Sequence, residues 1–62
     1  MLYIFRVTYK KYIDGKEYKR EVDIVASDVY EAAEKVETIL NKTGEDCYTI
    51  YLVKFIDFFD ME

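Results

Sequence analysis

Two runs in which apolar and polar residues tend to alternate lie between Leu2 and Ala26, one on either side of Asp14-Gly15. Alternation with a period of two marks strands that bury one face, and Asp-Gly between two such runs is a strong hairpin signal. Folding the chain about that turn sets Ile13 against Lys16. Counting outward then places Val7 opposite Val22, Phe5 opposite Ile24 and Tyr3 opposite Ala26. On the other face Arg6 meets Asp23 and Thr8 meets Glu21. A slip of one residue would destroy both the apolar and the polar matches, so the pattern specifies its own register.

The period then changes. Val29, Ala32, Ala33, Val36, Ile39 and Leu40 recur at helical spacing and form one apolar stripe. Asp28 is a good N-cap, with Glu31 three residues on, where a capping-box acid belongs. Lys42 suits the negative end of the helix dipole, and Gly44 closes the helix shortly after Asn41. Tyr48 to about Phe58 reads as a third strand with two apolar faces. Tyr48, Ile50, Leu52, Ile56 and Phe58 lie on one, and Tyr51, Val53 and Phe55 on the other.

The order strand, strand, helix, strand predicts one α+β domain over residues 1–62, a ββαβ unit. A crossover through the helix sets the third strand beside the first, giving a three-stranded antiparallel sheet of order 2-1-3 with the helix on one face. The covered face should hold Tyr3, Phe5, Val7, Val22 and Ile24, and alternation favours Ile50 and Leu52 as the third strand's contribution. The uncovered face would then gather Ile4, Val25, Tyr51, Val53 and Phe55, an apolar patch of the kind that marks an interaction site.

Size sharpens that expectation. A chain of 62 residues buries only about 60% of its unfolded surface, so a small core needs a disulfide, a metal or a second copy. Cys47 is the only cysteine and there is no histidine, which leaves no internal disulfide and no zinc site. A homodimer through Ile4, Tyr51, Val53 and Phe55 is the expected remedy. Cys47 itself reads as a small buried apolar residue at the start of a strand. No stretch reads as a signal peptide or a membrane span, so a cytoplasmic protein is expected, in whatever cell makes it.

The net charge of −4 hides an asymmetry. The first twenty residues carry six basic and two acidic side chains, and the rest carry three basic and eleven acidic. Lys10, Lys11, Tyr12, Lys16 and Lys19 crowd the hairpin tip together with Tyr9, Tyr18 and Arg20. Cations interleaved with tyrosines suit single-stranded nucleic acid, phosphates on the lysines and bases on the rings. The plainer account is a solvated hairpin whose lysines guard a strand edge. Glu31, Glu34 and Glu37 recur every third residue along the outer side of the helix, near an exposed Tyr30. Glu45, Asp46, Asp57, Asp60 and Glu62 extend that acidity. Carboxylates on a rigid helix can imitate phosphates and occupy a nucleic-acid groove on another protein; the plainer account is an ordinary solvated helix face.

Catalytic signatures are missing. There is no nucleophile elbow, phosphate-binding loop or dinucleotide fingerprint, and three strands with one helix offer little concavity. No enzyme activity, cofactor or metal is expected. The run from Val25 through Ala26, Ser27, Asp28, Val29, Tyr30, Glu31 and Ala32 to Ala33 resembles the strand-to-helix junction of short ββαβ proteins, among them small products of phages and mobile elements. The resemblance implies a capped helix and an accessory protein that acts by binding. The expected function is therefore a non-enzymatic interaction protein that inhibits a host or defence protein through its acidic face. The alternative is a small single-stranded nucleic-acid-binding protein using the hairpin tip.

Overall fold

The computed structural model describes residues 1–44 and 47–59. Strand β1 spans Leu2–Ile13, β2 Lys16–Ala26 and β3 Tyr48–Phe59, with helix α1, Val29–Lys42, between β2 and β3. The sheet order is β2-β1-β3 and both pairings are antiparallel. This is the expected α+β arrangement.

The β1–β2 ladder has the register that the alternation predicts, from Ile13 opposite Lys16 out to Tyr3 opposite Ala26. Its turn places Asp14 at φ 52° and Gly15 at φ 78°. Two successive positive φ values match the right-handed twist of a hairpin, and Asp followed by Gly is among the few pairs that adopt them at low cost.

The helix begins as expected: the Asp28 side chain accepts the Glu31 backbone N–H at 2.8 Å. The Glu31 carboxylate reaches back one residue beyond the N-cap, accepting the Ser27 N–H at 3.2 Å and the Ser27 hydroxyl at 2.9 Å. At the other end Thr43 N–H donates to Ile39 O, and Gly44, at φ 79°, turns the chain away while donating to Asn41 O. Ala32, Val36 and Leu40 are the helix residues that become buried. Their spacing of four makes a single ridge, which settles on Phe5, Val7 and Ala26 of the sheet. Val29, in the first turn, and Ile39, on the margin of the stripe, remain exposed.

Strand β3 departs from simple alternation. It carries two one-residue irregularities against β1, at the steps from Ile4 to Phe5 and from Thr8 to Tyr9. The residues opposite the inward-facing positions Lys11, Tyr9, Val7, Phe5 and Tyr3 are therefore Tyr48, Ile50, Val53, Phe55 and Phe58. The spacing runs two, three, two, three, because each bulge inserts one residue. Ile50 lies on the helix side as expected, but Leu52 does not: it stands opposite Thr8 on the outer face. Val53 packs against the core, and Phe55 stacks edge-on with Phe5 and Tyr3. Placing Val53 and Phe55 on the uncovered face is thus corrected. A strand apolar on both sides gives no internal sign of where it skips a residue; the alternation of β1 decides it.

The outer face is correspondingly less greasy than expected. Arg6 donates to both carboxylate oxygens of Asp23, at 2.9 and 3.2 Å, and Lys10 lies 3.3 Å from Glu17. Thr8, between these pairs and 1% exposed, donates to Glu21 at 3.5 Å. Ile4 and Val25 remain only half-buried at one end.

The two bulges predict opposite responses at neighbouring positions. Val53→Asp puts a carboxylate against the core and should cost about 2–4 kcal/mol. Leu52→Asp should cost less than about 1 kcal/mol. Urea denaturation at one low protein concentration reads both, and the reverse ranking would remove the bulges.

Candidate interaction site

Three surfaces are candidates, and the fold treats them differently. On the helix, Tyr30 is 82% exposed, and Glu34 and Glu37 are exposed as well. At about 100° per residue these three positions lie within about 60° of one another, on the side turned from the sheet. Glu31 does not join them as a free acid. Its carboxylate is held by Ser27 and lies 3.3 Å from Lys35, whose ammonium also donates to Val25 O at 2.8 Å. Hydrogen bonds from the Ser27 hydroxyl, the Ser27 N–H and Lys35 hold the Glu31 carboxyl below the usual carboxylate range. Of the expected acidic row, Glu34 and Glu37 are the part that can meet a partner, with Tyr30 beside them. Asp57 lies on β3 instead, and Glu45, Asp46, Asp60 and Glu62 lie outside the described residues.

The basic hairpin tip is divided. Neighbouring residues of a strand point to opposite faces, so Lys10, Tyr12 and Lys19 share the outer side. Lys11 and Lys16 share the helix side with Tyr18 and Arg20. Lys10 is engaged by Glu17 and sits 5.1 Å from the centre of the Tyr51 ring, and the Tyr12 hydroxyl also donates to Glu17, at 3.3 Å. Tyr9 is drawn away from the tip: half-buried, it packs against the core. Arg20 lies over Tyr18, 5.5 Å from the ring centre. Two half-sites result, and the outer one is partly neutralised by Glu17.

The expected apolar interface is divided in the same way. Ile4 and Tyr51 belong to the outer face, and Val53 and Phe55 to the helix side. A different apolar surface takes its place. The helix packs on all three strands, most heavily on β2, and the aromatic end of β3 on the same face stays open. There Tyr3, Phe5, Phe55 and Phe58 form a chain of ring contacts with centroids 5.4–6.3 Å apart. Phe55 is 47% and Phe58 62% exposed. The strand's apolar content signalled this surface, but locating it required the bulges.

Cys47 is exposed rather than buried, because it precedes β3 and contributes its backbone carbonyl, accepting from Tyr12 N–H at 3.0 Å. Among the described residues no three His, Cys, Asp or Glu side chains are placed to hold a metal ion, and no helix is long and apolar enough to cross a membrane. Comparison with known proteins finds no matching family model, no matching curated protein and no matching solved structure.

The cap and the outer-face ion pair carry a pH signature. The carboxyls of Glu31 and, through Arg6, Asp23 are depressed in the folded chain. Each contributes stability that is complete above its unfolded value and is lost as pH falls through the lower folded value. The urea midpoint should therefore fall on acidification through and below the ordinary carboxylate range. Glu31→Gln should flatten that fall, and an unchanged pH profile in this variant would remove the cap's contribution.

Proposed function

We propose that the chain is a non-enzymatic binding protein that acts by occupying a surface of another protein. The observation that carries this reading is Tyr30, standing almost fully exposed beside Glu34 and Glu37 on the back of a helix that is anchored at its cap and along its ridge. A large ring held out from a rigid element is a suitable anchor for a protein interface. Carboxylates beside it suit a basic partner surface, and a groove that otherwise receives nucleic acid is such a surface. In its narrower form the protein is a phage-type inhibitor of a host or defence protein, working in the cytoplasm. A second copy of the chain is the other partner, since one copy owns so small a core.

The alternative, a single-stranded nucleic-acid binder, draws on Arg20 stacked over Tyr18 beside Lys11 and Lys16 on one face of the tip. It has the smaller basis, because the tyrosine–lysine set is split between faces.

Capture on the immobilised chain separates the two. A retained protein should be displaced by duplex DNA and lost with Tyr30→Ala or with the pair Glu34→Lys and Glu37→Lys. Retention unaffected by these changes would overturn the helix-face reading. A salt-sensitive shift of a labelled single strand, abolished by Lys11→Glu and Lys16→Glu, would put the alternative in its place.

A further inference from the structure

The two edges of the sheet are built differently. Edge strand β2 carries charge at six of its eleven residues: Lys16, Glu17, Lys19, Arg20, Glu21 and Asp23. Edge strand β3 carries charge at two of twelve, Lys54 and Asp57. Charged edges resist pairing with another chain, and sparsely charged apolar edges invite it. The exposed rings of Phe55 and Phe58 lie along that second edge.

Among the described residues, its two charges face no opposite charge. Lys54 stands directly opposite Arg6, a like charge, while Arg6 is already spent on Asp23. Asp57 stands opposite Ile4, and its carboxylate accepts the neighbouring Phe58 N–H, at 2.7 Å. Neither Lys54 nor Asp57 has an ion pair among the described residues. Like charges set opposite one another weaken a ladder, so this arrangement is costly unless an acid approaches Lys54 from the open side.

We infer that β3 pairs antiparallel with β3 of a second copy about a two-fold axis at Phe55, with Lys54 of each chain facing Asp57 of the other. The inference rests on the self-association reading above and supplies its geometry. Antiparallel partners that stand opposite share a face, and the faces here agree at every step. Val53 would meet Phe58 and Phe55 its own counterpart, all on the helix side. Lys54 would meet Asp57 and Leu52 would meet Phe59, all on the outer side. The bulge at Ile56 makes the match possible: it sets one extra residue between Phe55 and Asp57, so that Val53-Phe55-Phe58 reads as the mirror of itself. The result is a continuous sheet of six strands, with the aromatic cluster of each copy closing over the other's. A symmetric interface of this type makes the Lys54–Asp57 contact twice, so one kind of pair answers all four edge charges.

Sedimentation of the full chain over a wide concentration range tests the inference, using Lys54→Asp and Asp57→Lys. Both residues are exposed. Each change alone turns two attractive contacts into two repulsive ones and should weaken the dimer by roughly tenfold or more. An equimolar mixture of the two variants should associate again, because every facing pair then holds opposite charges; a variant that merely failed to fold could not be rescued in this way. Dimers indifferent to both changes would overturn the edge while leaving self-association in place. A wild-type chain that stays monomeric throughout would overturn both.

Discussion

Everything in this fold depends on β1 being paired along both of its sides. Its alternation puts Tyr3, Phe5, Val7 and Tyr9 toward the helix, and Arg6, Thr8 and Lys10 away from it. The Asp14-Gly15 turn locks β2 to that alternation at once, since the register is settled within a few residues of the turn. Strand β3 arrives last in sequence and must conform. It does so by bulging twice, because its own pattern is out of step with the strand it joins. Val7, fully buried at the centre, is opposite Val22 on one side and Val53 on the other.

The helix lies on this frame without covering it. Fourteen residues at about 1.5 Å each span about 21 Å, whereas the molecule is 44 Å long. The hairpin tip and the Phe58 end of β3 are therefore left to solvent. The three candidate surfaces arise from this mismatch in length together with the lean of the helix toward β2. The tip is basic but divided, the helix back is acidic with one aromatic, and the β3 edge is aromatic and nearly uncharged.

How much of this was legible in the residues follows from how local each signal is. The β1–β2 register, the Asp28 cap and the Gly44 stop each depend on residues close to a turn or a helix end, and each was readable directly. The faces of β3 were not, because a bulge is a relation between two strands and leaves no mark in a run that is apolar on both sides. Simple alternation places Val53 and Phe55 on the wrong surface for that reason. The hairpin tip misled differently: Lys10 and Lys11 are neighbours in sequence but point to opposite faces of a strand. Glu31 belonged to two patterns at once, capping box and acidic row, and the cap claims its carboxylate. Cys47 reads as the buried start of a strand, whereas it lies exposed just before β3.

The placement of β3 against β1 can be read most directly from nuclear Overhauser contacts in a methyl-labelled sample. The Val53 methyls should lie close to Val7 and the Phe55 ring close to Phe5 and Tyr3, while the Leu52 methyls meet Thr8 and touch neither Val36 nor Leu40. Leu52 in contact with Val36 or Leu40, and Val53 in contact with Thr8 or Arg6, would contradict the double bulge and with it the surfaces built upon it.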